Sequence, residues 1–430
     1  MKPLPPGATG GVAINVNQAN RLLTPENGNH LRSAPVVFGM EIRGGLDAAV
    51  LEASLAHVAR AHTSLRTFFP EPRTGGYLVP AGQAGWPVRR IDLTTLAGPA
   101  RKPAEDHHLS WLFAAFEPDA YPLHRALLLR YGTHHLLGVA VDHLIFDGMS
   151  IEPFMDDVAT AYNSIENGEP VTLTGSDAAG FATLEREFIQ SADGRRATEY
   201  WWDIWRATGP YPKVTFTGRT AHQDPAAGQP AHRARPISMK SINALREELG
   251  GRHYSVFCLV ATALMLGLRD ATGRGECGII IPSSRRAYAK SSGHTIGFLN
   301  NKLVLRADLA GARDFAAAAE IVSDALFGSM EHEMMPFEHL VNLWAPEYRG
   351  QRPDHAYISL NLQQKPIRRA LGGAEAIEVL LREGGSLGGS GIPMWIECGD
   401  ESVCIDYKCP AAVRAGDVDD VLARALAAFS

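Results

Sequence analysis

The stretch Asp142-His143-Leu144-Ile145-Phe146-Asp147-Gly148 separates two patterns that cannot belong to one element. Before it, Leu136 to Val141 is an apolar, strand-like run; after it, from Ser150, apolar residues recur at helical spacing. A strand must end and a helix must begin within this heptapeptide. A His followed four residues later by Asp and then Gly, at a strand end, reads as an acyl-transfer site. The His can take a proton from an amine or alcohol nucleophile. The Asp can fold back and fix the loop, and the Gly permits a tight turn or a close backbone approach. Read alone, the heptapeptide also fits a plain loop His beside a turn-forming Asp-Gly.

The flanking chain supplies the scaffold for such a junction. Val36 to Ile42 reads as a strand, and Asp47 to His62 as a helix with Asp47 as its N-cap. Leu127 to Tyr131 and Leu136 to Val141 read as paired strands joined around Gly132. Ile151, Phe154, Met155, Val158, Ala159 and Tyr162 share one helix face, with Pro153 in the first turn, where its missing N–H matters little. Further on come a helix (Ser241 to Leu249), a buried helix (Val256 to Leu268, N-cap Ser255, ending at Thr272-Gly273) and a strand (Cys277 to Ile281). Then follow Leu303 to Leu305, a helix over Phe315 to Met330 and a strand over Ala356 to Leu362. Strands and helices mix without a βαβ rhythm, so the expected fold class is α/β (α+β) with mixed sheets. Residues 1–12 read as a flexible leader, and the polar stretch Gly168 to Ala178 as a boundary. The expected lobes are 13–172 and 173–430. Thr215 to Gln229 reads as a surface loop.

Composition narrows the function classes. The chain has 430 residues, 45% hydrophobic and 20% charged, enough for two or three domain-sized units. A net charge of −6 argues against nucleic acid as the main partner. The five cysteines are scattered without a CxxC pair, so neither a zinc site nor a disulfide framework is expected, and a reducing cytoplasm fits. The N-terminus lacks the apolar core of a signal peptide, and Val256 to Leu268 is too short to span a bilayer, so no membrane partner is expected.

Several segments together resemble the condensation domains of nonribosomal peptide synthetases, whose active site carries His-His-x-x-x-Asp-Gly. Besides the heptapeptide, Leu65-Arg66-Thr67-Phe68-Phe69 after the first helix is similar to the family's Leu-Arg-Thr segment. Tyr200-Trp201-Trp202, the run from Ile296 to Arg306, Met335 to Val341 and Asn361-Leu362-Gln363 are similar to four later family motifs, in the same order. The resemblance runs from about Asn17 to the C-terminus. It implies two chloramphenicol acetyltransferase-like lobes set in a V, with a central tunnel and His143 midway along it. It also implies substrates presented as thioesters on the phosphopantetheine arms of carrier proteins.

The resemblance assigns roles residue by residue. His143 matches the second motif His, which takes or orients the nucleophile's proton, a contribution of roughly 10²–10⁴-fold. Asp147 implies a structural salt bridge to an Arg of the second lobe, with Arg286 as its partner or Arg285 one residue out of register. Gly148 implies a backbone N–H facing the developing oxyanion, and Asn301 a structural hydrogen bond. Two positions depart from the pattern: Asp142 replaces the first His, and Met149 the usual Trp. Asp142 either raises the His143 pKa by favouring imidazolium or, by strand alternation, points away from the tunnel.

Other motifs are weaker. Gly384-x-Ser386-x-Gly388 resembles a nucleophile elbow, but Gly389, Gly391 and Pro393 follow where a helix is needed. His107-His108 and His134-His135 lack partners, His332-Glu333 lacks the second His of a zinc helix, and no nucleotide-binding Gly pattern is present. The expected function is a free-standing condensation enzyme of natural-product biosynthesis with no bound cofactor and no metal. It would take acyl or peptidyl carrier proteins in trans and a small amine or alcohol acceptor, and form an amide or ester. The rivals are a coenzyme A-dependent acyltransferase of the same superfamily, which lacks support from an Asp-Phe-Gly-Trp-Gly string, and a non-catalytic recruitment domain, which tends to lose the His kept here.

Overall fold

The computed structural model describes residues 4–23, 35–71, 75–96, 98–215, 232–233, 236–250, 254–289, 292–349, 353, 355–363, 366–379, 381, 391–410 and 413–429. Two compact units emerge. The first comprises residues 1–188, 284–300 and 366–383; the second comprises 189–283, 301–365 and 384–430. Relative to the expected lobes, the stretches 173–188, 284–300 and 366–383 belong with the first unit.

The first unit is built on a six-stranded mixed sheet. Its strands are β2 (Pro35–Arg43), β5 (Val88–Asp92), β6 (His124–Arg130), β7 (His134–Asp142), β13 (Arg368–Leu371) and β14 (Ala374–Val379). Their order is β13-β14-β2-β7-β6-β5, antiparallel except for the β5–β6 pair. A smaller sheet, β1-β4-β3, joins β1 (Thr9–Val12), β3 (Thr67–Phe68) and β4 (Gly76–Leu78). The end of the expected flexible leader is thus an ordered strand, because Thr9–Val12 finds a partner edge in β4.

The helices of this unit are α1 (Val16–Leu23), α2 (Ala48–Ala61), α3 (Gly98–Phe113), α4 (Ile151–Glu166) and most of α5 (Ala178–Gln190). Asp47 caps α2 by accepting the N–H groups of Ala49 (2.8 Å) and Val50 (3.2 Å). The apolar stripe of α4 is buried, and Phe154 meets Phe38 of β2 edge-on at 5.5 Å. Phe146 of the heptapeptide stacks on the same Phe38 at 5.8 Å. The loop is therefore rooted in the core; a buried Phe removes enough apolar area to contribute roughly 1.5–3 kcal/mol.

The second unit has β8 (His232–Arg233), β9 (Pro236–Ser238), β10 (Glu276–Ser284), β11 (Asn300–Asp308), β12 (Tyr357–Gln363), β15 (Gly391–Cys398) and β16 (Ser402–Lys408). The order is β11-β10-β12-β15-β16-β8, with β9 also on β16. The β10–β12 and β12–β15 pairs are parallel and the β15–β16 pair is antiparallel. Its helices are α6 (Ala192–Thr208), α7 (Met239–Glu248), α8 (Val256–Thr272), α9 (Phe315–Glu331), α10 (Phe337–Trp344) and α11 (Ala415–Leu426). The apolar α8 is capped by Ser255, whose Oγ accepts the Cys258 N–H at 3.1 Å, and stops at Gly273 with φ +70°. Gly267 lets α8 and α11 close up: a Cβ there would stand 2.5 Å from the Val421 carbonyl oxygen. Most of Thr215 to Gln229 and the whole Gly384–Gly388 string lie outside the described residues.

Candidate active site

Strand β7 ends at Asp142, and the turn that follows carries His143. The Asp142 carboxylate folds onto the turn itself. Its Oδ1 accepts the Leu144 N–H at 2.8 Å, while its carbonyl accepts the Ile145 N–H at 3.0 Å. This is an Asx turn, the use of Asp that local geometry favours. Leu144, Ile145 and Phe146 are buried, so the half-buried His143 is the side chain this turn presents.

The His143 ring is fixed from two sides. Its Nδ1 lies 2.8 Å from the Phe146 carbonyl oxygen, and Phe298 meets the ring edge-on at 4.8 Å. A carbonyl only accepts, so Nδ1 carries the proton and Nε2 keeps its lone pair. Burial pushes the His143 pKa down to about 4, and Arg21 on α1 adds to the depression, while Asp147 opposes it. The imidazole is therefore neutral at physiological pH.

Asp147 is the pivot of the loop. It caps a one-turn helix, Gly148–Ser150, by accepting the Ser150 N–H at 3.1 Å. Arg286 donates to both carboxylate oxygens, at 2.6 Å and 3.0 Å, and the Leu299 N–H donates to Oδ2 at 2.9 Å. The guanidinium is also bound to the Thr295 carbonyl (2.9 Å), the Gly297 carbonyl (3.1 Å) and the Ser150 Oγ (2.7 Å). Both partners of this bidentate pair are buried, and directed bonds to both members of the pair compensate the loss of water. Arg285 turns the other way: it pairs with Glu185 of α5, also buried, whose Oε1 accepts the Val16 N–H at 2.7 Å.

Gly148 is exposed, with ordinary backbone angles, and an added Cβ would meet nothing within 4 Å. As the first residue of the capped turn, its N–H has no bond inside that turn. Met149 beside it is 45% exposed. The loop thus offers a lone pair, a backbone N–H and open space, and its own packing does not demand the glycine.

Residues that the motifs did not flag complete the frame. Asn15 and Gln18 exchange side-chain and backbone bonds at the start of α1 (2.9 and 2.8 Å), an Asn-x-x-Gln capping box legible in the sequence. From that base Gln18 donates to the Leu144 carbonyl (2.8 Å), Asn15 to the Phe298 carbonyl (2.7 Å) and Asn17 to the Asn300 carbonyl (2.7 Å). Asn301 plays a different part in the second unit. Its Nδ2 donates to the carbonyls of Glu333 (2.8 Å) and Met335 (2.7 Å), and its Oδ1 accepts the Phe337 N–H (2.9 Å), fixing the entry to α10.

Among the described residues no cluster of His, Cys, Asp or Glu is placed to hold a metal ion, and no helix is long and apolar enough to cross a membrane. Residues 17–368 match the family model described as Condensation domain. The chain belongs to the condensation-domain family. It is 27% identical over 343 residues, 77% of its length, to the chondramide synthase of Chondromyces crocatus, of which it covers 9%. The chain spans less than a tenth of the length of the curated relatives it matches. Among solved structures, the first condensation domain of the calcium-dependent antibiotic synthetase, in complex with a substrate analogue, superposes with a TM-score of 0.73 at 20% identity, covering 97% of this chain and 95% of that one. The X-domain in its complex with OxyB from teicoplanin biosynthesis gives 0.75 at 18% identity, covering 100% and 94%. The condensation-domain fold is thereby shared.

Proposed function

We propose that this protein condenses a carrier-bound acyl or aminoacyl thioester with an amine or alcohol, using His143 as the proton acceptor. The observation that carries the reading is the tautomer of His143: Nδ1–H is committed to Phe146, so Nε2 is available to the nucleophile. The nucleophile adds to the thioester carbonyl, and its N–H or O–H proton is drawn toward Nε2. The Gly148 N–H stabilises the oxygen that gains charge. The carbon–sulfur bond then breaks, the new amide or ester remains, and the phosphopantetheine thiol recovers the proton. With a depressed pKa the imidazole is fully unprotonated and ready at neutral pH, acting by orienting and accepting rather than by holding a stable charge.

The thioester donor reaches this site on the phosphopantetheine arm of a carrier supplied as a separate protein, and no cofactor is retained. A tethered donor draws binding energy from the carrier surface, which can be used to orient the thioester. The test compares kcat/KM for one acyl group on a carrier protein and on coenzyme A, across a panel of amines and alcohols. The carrier-bound donor is expected to be the better substrate. Equal or better use of coenzyme A would instead make this a coenzyme A-dependent acyltransferase.

A further inference from the structure

A second buried polar chain lies behind the site, outside every motif assigned to chemistry. His62, the residue that ends α2, is fully buried. Its Nε2 is 2.6 Å from Oδ2 of Asp157 on α4, and its Nδ1 is 2.8 Å from the Oγ of Ser176. Ser176 in turn accepts the Ile296 N–H at 3.2 Å, and the Ile296 carbonyl accepts the Ser64 hydroxyl at 2.8 Å. The Ile296 N–H donates to the Ser176 Oγ, whose hydroxyl faces both the Ile296 carbonyl at 3.4 Å and His62 Nδ1, and His62 Nε2 meets the Asp157 carboxylate.

The seat of Ser176 is shaped for this bond. The Thr63 N–H and hydroxyl both donate to the Ser176 carbonyl, at 3.2 and 3.0 Å. Gly175 lies flush on the end of α2, where a Cβ would stand 2.5 Å from the Ala61 carbonyl oxygen. No flexible side chain is there to give way, so only glycine allows this approach.

Both ends of this chain lead back to the active-site loop. Asp157 stands on the helix that directly follows the heptapeptide. Ile296 is two residues before Phe298, the wall of the His143 ring, and three before Leu299, whose N–H binds Asp147. We infer that His62, Ser176 and Asp157 form a positioning relay that sets Phe298 against His143. The relay takes no proton from substrate and touches none. It resembles a Ser-His-Asp triad in composition only, since the Ser176 hydroxyl is buried and already committed. The inference rests on the reading of His143 as the acting group only for its catalytic meaning; the geometric coupling stands apart from it.

The test is a ring-current measurement on the full chain carrying 13C-labelled histidine side chains, with the His143 signal assigned by its loss in His143→Ala. Phe298→Leu sets the position of that signal when the aromatic wall is absent. Ser176→Ala and His62→Gln, which can keep the Asp157 bond but not the Ser176 bond, are expected to move the signal most of the way there. His62→Asn, which places an amide where Nδ1 stood, is expected to return it toward the wild-type position. Thermal melts identify any variant that has unfolded, and Ser176→Ala, close to isosteric, then decides alone. A His143 signal that stays at the wild-type position in folded Ser176→Ala overturns the inference. Retained turnover in His143→Ala would overturn the base assignment instead, leaving the relay untouched.

Discussion

The two units bury different kinds of side chain. In the second unit, among the described residues, α8 and α11 close over an apolar interior, and the buried polar groups are few: Thr262, Asn301, Ser329 and Asp406. The first unit buries Asp142, Asp147, Asp157, Glu185, Arg285, Arg286 and His62, most of them along the junction with residues 284–300. Apolar burial is non-directional and lets elements settle wherever their surfaces fit. Directed bonds to Asp147 and Ile296 admit one register only. The difference teaches that this fold spends buried charge where a distant loop must be held in place beside His143, and not where a helix merely covers a sheet.

The sharpest way to break that contrast is Asp147→Ala. It strands the buried Arg286, so stability should fall by about 3–5 kcal/mol. Arg286→Ala should lose a similar amount, and the double variant much less than the sum. Denaturant melts of the set decide this; simple additivity would mean that the pair does not act as a unit.

His143→Ala should keep the fold and lower turnover by at least roughly 10²-fold. Circular dichroism with a product assay checks it, and near-wild-type turnover in a folded variant would remove the base assignment. The same residue predicts a pH effect. Its folded pKa is held near 4, below the ordinary 6.5, so between those values the unfolded chain binds more protons than the folded one. Its contribution to stability is fully present above about 6.5 and is lost as the pH falls toward 4. His143→Ala should therefore flatten the acid side of a stability–pH curve, and the acid limb of kcat/KM in the wild type should fall below that of an ordinary histidine.

Asn301→Ala probes the other side of the comparison. It leaves the Phe337 N–H and two carbonyls without their partner in an apolar setting, a loss of about 1–3 kcal/mol by melting. A loss as large as that of Asp147→Ala would erase the distinction between the units. The smallest effect is expected from Asp142→Asn. An amide oxygen can take over the bond to Leu144 N–H, so stability should change by less than about 1 kcal/mol, and the His143 titration should stay where it is. A large downward shift of that titration would show that Asp142 acts electrostatically on the site.

What could be read without coordinates follows the same divide. Helix α2 with its Asp47 cap, β7 and the stripe of α4 announce themselves by local period and cap chemistry. Arg286 could be put opposite Asp147, ahead of Arg285, only through the register of the resemblance, and the pairing of Arg285 with Glu185 had no signal in the sequence. Gly168 to Ala178 looked like a polar boundary, yet Ser176 inside it is buried, because its bonding partners lie in residues remote in sequence. Asn15 and Gln18 stand at capping-box spacing, but nothing local marks their reach, or that of Asn17, to Phe298, Leu144 and Asn300. Local pattern reports which face is apolar; it does not report which distant backbone carbonyl a buried amide will meet.

The hairpin β13–β14 gives this architecture a timetable. Strand β14 pairs with β2 through the register Glu375↔Arg43 to Val379↔Gly39, so the sheet that β2 begins is finished only after most of the second unit has been made. Until then β2 offers an open edge, and open edges recruit stray strands. A nascent or truncated polypeptide stopping at residue 172 would lack the Arg286 clasp as well as this hairpin. Anyone recombining such domains by splicing halves at that point would cut three threads of one fabric. Exchange points that keep 284–300 and 366–383 from the same parent as residues 1–188 should give chimeras that assemble.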